Sequence, residues 1–389
     1  DASVTATGDV TDEADNCGVG QATYSDAVDA TDPCSIVITR TWSLVDDCGN
    51  AAADQVQTIT VEDNIAPTFT VPADDIICRN LDCSYDIDPS ATGDVVDEWD
   101  NCSASIEATY VDDFTNLVSC DVAGYVIRTW TLEDACNNSV SQQQIIWIEP
   151  VPSVVPVTPD TIQCDSTFTN IQLTSPSVFT SGNITFDYTV TTSGAVTGYS
   201  SPVNGLPLNH IIADQLINHT NAVQTVTYNI TPVNPTACPN GVTQEVTIYV
   251  NPTPQFSVNA PDTVVCDGST VDLDVIDGMG VVEGAKVYEL SRIYNPADIT
   301  VITGQPDGEY DLTADDISDQ LINHTDLVQP ITYHLVARIR DDRVGNNFGY
   351  CDHAIDTTIT IWVNPTPNIS VVASDSVLCN GDTTVLTIT

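Results

Sequence analysis

Alternation of apolar and polar residues dominates the chain. The stretches VQTITVED ending at Asp63, QQIIWIEP ending at Pro150, VQTVTYNI ending at Ile230, QEVTIYV ending at Val250, PITYHLVARI ending at Ile339 and TTITIWV ending at Val363 all read as strands. They are rich in Val, Ile, Thr and Tyr, which suit a pleated, half-buried surface. Two stretches break the pattern and predict short helical turns, IIADQLINHT at 211–220 and ADDISDQLINHT at 314–325. Their apolar residues Ile212, Leu216 and Ile217 recur as Ile317, Leu321 and Ile322, a spacing that buries one face of a helix. On this reading His219 and His324 cap the ends of those turns.

The strands fall into repeats. ATGDVTDEADNC, ending at Cys17, returns as ATGDVVDEWDNC, ending at Cys102. Cys34, Arg40-Thr41-Trp42 and Cys48 correspond to Cys120, Arg128-Thr129-Trp130 and Cys136. DQLINHT at 214–220 returns at 319–325, and VNPTP at 250–254 returns at 363–367. Around Cys379, VLCNGDT repeats the VVCDGST around Cys266. Fixed periods of this kind mark tandem arrays. Expected domains are 1–65 (N-terminally truncated), 66–150, 151–252, 253–366, and the start of a further copy at 367–389. Units of this size built from short strands predict an all-β fold of tandem immunoglobulin-like sandwiches arranged end to end. Proline-bearing junctions such as NIAPTF and NPTPQF predict short, stiff linkers.

Charge narrows the functions. The chain has 389 residues, with 55 acidic and 8 basic, for a formal net charge of −47. Such a surface repels phosphate backbones and anionic lipid, so nucleic acid is excluded as a partner and direct membrane insertion is not expected. No apolar run reaches membrane-spanning length. Both ends cut through repeats, so the chain reads as a fragment of something longer.

Thirteen cysteines recur at equivalent positions and point to disulfides in an oxidising compartment. In a seven-strand sandwich, the cysteine after the second strand and the one between the last two strands share a pole. That geometry predicts Cys17–Cys48 and Cys102–Cys136. Cys120, at the other pole, should take Cys78 or Cys83. In the second repeat type, Cys164 should pair with Cys238 and Cys266 with Cys351. Cys34 is assigned a partner missing from the truncated first unit, and Cys379 is left open.

The pattern GDVTDEADNC, ITRTW, DDCGN and ITVEDNIAPTF resembles the hyalin-repeat modules of giant bacterial surface proteins. LINHT, VTYNITP, a cysteine, VTIYVNPTP and a new VVCDG resemble the PKD-like modules of the same proteins. The closest setting for the combination is the large repetitive adhesins of Bacteroidota, including flavobacterial gliding adhesins. The resemblance implies export by the type IX route, display at the cell surface, and adhesion to a surface ligand or glycan. It implies a non-catalytic fibre that transmits force, with neighbouring repeats as partners. The alternative is a spacer or carbohydrate-binding array of a secreted hydrolase. Cys83 departs from the first pattern.

Calcium is the candidate cofactor. The linker VEDNIAPTF resembles the calcium-binding linkers of cadherin repeats. In a sandwich, Glu62, Asp63 and Asn64 would meet the loop Asp97, Glu98, Asp100 and Asn101 and the turn at Asp134. Calcium takes about six to eight oxygens, and several carboxylates converge there. The alternative is turn chemistry, in which Asp and Asn cap loop backbone groups. Arg40 and Arg128 each precede a Trp by two residues on one strand, so both side chains share a face. A guanidinium stacked there and paired with a loop carboxylate would brace the sheet. Thr161 and Thr263, each after an Asp, are candidate O-glycosylation positions. No Ser-His-Asp set, phosphate loop or HExxH motif is present.

Overall fold

The computed structural model describes residues 2–158, 160–341, 349–351, 356–374, 376–377 and 379–388. The chain is nearly all β, as the alternating pattern requires. It forms two compact units, one comprising Asp1–Val151 with Pro176–Gly182 and Pro235–Pro239, the other the remaining segments.

In the first unit, strands Thr23–Asp29, Ser35–Ser43 and Gln55–Glu62 make an antiparallel sheet in sequence order. Strands Thr109–Asp113, Gly124–Glu133 and Ser139–Glu149 repeat that arrangement, and Asp75–Cys78 adds a parallel fourth strand beside Ser139–Glu149. Gly124–Glu133 buries every second residue, with Val126, Arg128, Trp130 and Leu132 on the inner face. The layer opposite is built mostly from irregular extended segments rather than strands. Phe69, Val95 and Ile106 cover Trp130 and Leu132, and Tyr85, Ile87 and Leu117 cover Val126, Ile146 and Ile148. One-turn helices Val4–Thr7 and Pro89–Thr92 end on Gly8 and Gly93, whose φ of 95° and 93° lie where side chains are disfavoured.

The second unit holds the other repeat type. A sheet of Val203–Pro207, Thr185–Thr192, Gln224–Val233, Gln244–Val250 and the parallel strand Ile162–Gln163 faces shorter strands. The next copy pairs Gly308–Asp311, Ala285–Ile293, Gln329–Asp341, Asp356–Asn364 and the parallel strand Val264–Cys266, with Gly349–Cys351 beside Gln329–Asp341. Its opposing sheet is Phe256–Asn259, Thr270–Asp277, Ile317–Asn323 and Ile299–Thr303. Leu273, Ile317 and Leu321 from that sheet share one core with Tyr288, Tyr333 and Ile361, which defines a sandwich. A two-stranded hairpin, Val371–Ala373 with Leu386–Ile388, follows. It pairs Val371 with Ile388 as Val258 pairs with Val275.

The two predicted helical turns are strands, Gln215–Asn218 and Ile317–Asn323. Burial alternates along the second, with Ile317, Asp319, Leu321 and Asn323 all inside. The polar residues that would have faced solvent on a helix are buried and satisfied. Asp319 accepts from the Arg292 guanidinium and from the Tyr333 hydroxyl, at 2.6 and 2.9 Å. Asn323 Nδ2 donates to the carbonyls of Leu327 and Val363. His219 and His324 cap nothing. Each ring Nε2 meets a cross-strand threonine hydroxyl, Thr197 or Thr300, at 2.8 Å.

The disulfide pairings differ from the sandwich-based expectation. The bridges are Cys34–Cys136, Cys78–Cys238, Cys83–Cys120 and Cys164–Cys351. Cys17, Cys48, Cys102, Cys266 and Cys379 are thiols. None of Cys17–Cys48, Cys102–Cys136, Cys164–Cys238 or Cys266–Cys351 forms, and of the two partners considered for Cys120 it is Cys83 that bonds. The expected pairings kept each bond inside one repeat, whereas three of the four bridges join cysteines of successive sequence repeats. In each of the three, the cysteine between the last two strands, Cys136, Cys238 or Cys351, takes a cysteine from the repeat before it.

Candidate functional site

In the first unit the linker, a loop and a turn bring three carboxylates together. Oxygens of Asp63, Asp100 and Asp134 lie within 4.8 Å of one another, the one such group of acidic, His or Cys side chains among the described residues. Local turn chemistry aims each one. Asp134 Oδ1 accepts the backbone N–H of Cys136 and Asn138, both at 2.8 Å, and Oδ2 accepts Asn138 Nδ2 at 2.7 Å. Asp100 Oδ2 accepts the N–H of Cys102 and Ser103 at 2.8 and 2.5 Å. Asp63 Oδ1 accepts Asn101 Nδ2 at 3.3 Å, while its carbonyl accepts Asn138 Nδ2 at 3.2 Å.

Turn capping therefore accounts for half of this site. It does not account for Asp63 Oδ2 and Asp100 Oδ1, which are buried and have no hydrogen-bond partner. Asp100 is only 9% exposed and Asp134 6%. A buried carboxylate oxygen without a partner is costly, and costlier beside two other acids. Backbone N–H groups of Ser103 and Cys102 hold the Asp100 carboxyl below its ordinary range. Burial pushes Asp134 up, but the Asn138 side chain and the backbone N–H groups of Asn138 and Cys136 outweigh it and lower the net value. Both stay anionic at neutral pH. Two unpartnered oxygens and a third carboxylate are a donor set for a hard cation.

Of the residues expected at this centre, Asp63, Asn101, Asp100 and Asp134 come together. Glu62 ends its strand exposed, opposite Ser35, and Asn64 is exposed in the linker. Asp97 turns away to accept the N–H of Thr70, and Glu98 accepts that of Ala108. In the first repeat, Asp15 and Asp46 make the same turn bonds, to the N–H of Cys17 and Cys48. No third carboxylate joins them among the described residues. Cys102 lies against the cluster. Burial, then the charge of Asp63, pushes its thiol up, which lowers its thiolate fraction.

Arg128 was read as a brace, and its surroundings show how. Its guanidinium makes a two-point contact with Asp112, at 2.8 and 2.9 Å, and also donates to Thr92 Oγ1 and the Ile87 carbonyl. It stacks 4.2 Å from the Tyr110 ring. Arg40 repeats this with Asp26, Thr7, the Ala2 carbonyl and Tyr24. The carboxylate comes from the adjacent strand, directly opposite in register, rather than from a loop. Thr161 and Thr263 lie just before the parallel strands, half-buried and exposed respectively, with carbonyls accepting from Tyr249 and Trp362.

A contact that the sequence did not disclose recurs in the second repeat type. Asp165 Oδ2 accepts the Thr253 hydroxyl, and Asp267 Oδ2 accepts that of Thr366. Each Asp follows a cysteine, and each Thr sits in NPTP. The duplicated words carried that signal, because both partners recur in the same local words, although 88 residues separate one pair and 99 the other.

Residues 161–254 match the PKD-like domain family. A search of curated proteins found no match. Among solved structures, the chain is similar to the protocadherin GammaB4 extracellular domain, with 11% identity, 95% of this chain and 63% of that one covered, and a TM-score of 0.32. The chain thus spans less than two thirds of that relative. It is also similar to the Escherichia coli adhesin FdeC, with 10% identity over 84% of this chain and 92% of that one, TM-score 0.31. For human CDH23 EC21-23 the values are 11%, 77%, 100% and 0.36.

Proposed function

We propose that the chain is a non-catalytic, load-bearing repeat segment of an extracellular adhesive surface fibre, built from two hyalin-repeat-like and two PKD-like modules with a further copy begun at 367. Its partners are a surface ligand or glycan and neighbouring repeats. Export by the type IX route and a role in gliding belong to the same reading. Calcium, held by Asp63, Asp100 and Asp134, stiffens the junction of the first two modules.

One observation carries the mechanical part. The brackets Cys34–Cys136, Cys78–Cys238 and Cys164–Cys351 overlap along the chain. A pull on the two ends therefore runs through residues 1–34, crosses to 136, continues to 164, crosses to 351 and leaves at 389. Only about a quarter of the covalent contour is extensible, on the order of 350 Å rather than about 1,300 Å. A tether wired in this way keeps its length under traction.

Single-molecule pulling on residues 1–389 tests this. Without reductant, extension stops near a quarter of the full contour; with a phosphine reductant it reaches the whole. Full extension without reductant removes the load-bearing reading. An antibody against this segment should label intact source cells, and labelling only after lysis removes the surface reading.

A further inference from the structure

Cys266 and Cys48 are exposed thiols, yet their counterparts in neighbouring repeats are bridged. We infer that both are open ends of a disulfide ladder between successive repeats. Cys266 takes the cysteine from the last interstrand loop of a following PKD-like repeat, and Cys48 takes a cysteine from a preceding repeat. The inference rests on internal register and stands whether or not the chain is adhesive.

The surroundings of Cys266 duplicate those of Cys164. Each follows or ends a short strand running parallel to the last strand of its repeat. Ile162 and Gln163 pair with Tyr249 and Val250, which places Cys164 beside Asn251. Val264 and Val265 pair with Trp362 and Val363, and Cys266 with Asn364. Both asparagines begin NPTP. The residue after each cysteine then holds that linker, Asp165 through Thr253 and Asp267 through Thr366. The other oxygen of each Asp accepts a backbone N–H from the last residue of a strand in another sheet, Asn218 or Asn323. Cys78 occupies the same position opposite Glu149, which also precedes a proline. Cys78 and Cys164 are both bonded, to Cys238 and Cys351. Cys266 has the same register and the same latched linker, and the chain beyond it begins the same hairpin in the same register.

Cys48 mirrors this on the accepting side. Asp46 accepts the N–H of Cys48 and Asn50, as Asp134 accepts those of Cys136 and Asn138. The left-handed position of the turn is Gly49 in one and Asn137 in the other. In the second copy that turn delivers Cys136 to Cys34.

The chemistry is thiol–disulfide exchange. Two thiols give one S–S bond and lose two protons and two electrons; a small-molecule disulfide such as oxidised glutathione accepts them and leaves as two thiols.

The test extends the full chain. Residue 389 corresponds to 276, so fusing a second copy of 277–366 after Thr389 completes a repeat. After refolding in a glutathione redox buffer, free thiols are blocked and the product is mapped by non-reducing peptide mass spectrometry. The expected result is a peptide carrying Cys266 joined to the added counterpart of Cys351, lost in Cys266→Ser while the four existing bridges remain. An alkylated Cys266, or a bond between the added cysteine and Cys379, overturns the inference. A second measurement does not depend on the fusion folding. In residues 1–389 alone, Cys48 and Cys266 should label with maleimide without denaturant. A Cys17–Cys48 or Cys266–Cys379 bridge, or a Cys266–Cys266 dimer, overturns it.

Discussion

At the scale of single residues, polar groups placed inside the sheets do the most specific work. Arg128 is 1% exposed, and four acceptor atoms and an aromatic face surround its guanidinium. A lysine supplies one charged point where the fork supplies several directed donors. Arg128→Lys, which keeps the charge but loses directed hydrogen bonds, should therefore destabilise by about 1–3 kcal/mol, and Arg128→Met by about 3 kcal/mol or more, because Asp112 is then left alone. Thermal melting of both variants beside Asp112→Asn/Arg128→Met measures this, and the double variant should recover part of the loss. The acidic cluster behaves in the opposite way. Its carboxylates repel until a cation arrives, so micromolar to millimolar calcium should raise the melting temperature and EGTA should reverse it. Asp100→Asn should abolish most of the calcium-induced rise, while Asp97→Asn, whose side chain faces Thr70 instead, should leave it. No calcium effect on the unaltered chain sinks the cation site.

At the scale of elements, the repeated strand Asp-Gln-Leu-Ile-Asn shows why a turn of helix was a reasonable but incorrect expectation. Leu and Ile four and five residues after an Ile satisfy helical spacing. The deciding fact is that Asp319 and Asn323 find buried partners across the sandwich, which only period-two geometry allows. The same pairing recurs as Asp214 with Tyr228, at 2.8 Å. Both tyrosines are fully buried, and burial first, then the neighbouring Asp charge, pushes their hydroxyls far above the ordinary value of 10. Tyr188, beside Tyr228, is pushed up to about 12 for the same two reasons. The sign follows from linkage: a raised folded-state value gives stability that is complete below the unfolded value near 10 and is lost as pH rises above it. Alkaline unfolding should begin above about pH 10, with tyrosinate absorbance lagging behind that of free tyrosine. Tyr228→Phe and Tyr333→Phe should each cost about 1–2 kcal/mol at neutral pH, because an acid partner loses its donor, and should move the alkaline onset upward. A titration curve identical to free tyrosine would contradict the buried Asp–Tyr pairing.

At the scale of the whole molecule, stability is covalent as much as cohesive. Three bridges close loops of 102, 160 and 187 residues. In the chain-entropy account each restricts the unfolded ensemble by about 5 kcal/mol, more than a short loop would. Reduction should therefore lower the melting temperature sharply. Cys83→Ser, which opens a loop of only 37 residues, should do so least. Differential scanning calorimetry with and without reductant compares them.

Much of this was legible in the residues alone. Alternation specified strands because side chains on a pleated sheet point to opposite faces at every second position. Duplicated words specified a repeat array, and both Arg-Thr-Trp copies pointed to one brace because residues two apart share a face. Asp63, Asp100 and Asp134 could be nominated from linker and loop acidity. Three things needed the third dimension. Which acids converge depends on the directions of turn backbones, so Asp97 and Glu98 dropped out and two orphaned oxygens came to light. Strand or helix in Asp-Gln-Leu-Ile-Asn depended on partners remote in sequence. Cysteine pairing depended on which loop meets which repeat: identical spacing within a unit is compatible with bonds inside or between units, and only the approach of two chain segments to within a Cα separation of 5.2–5.5 Å selects one.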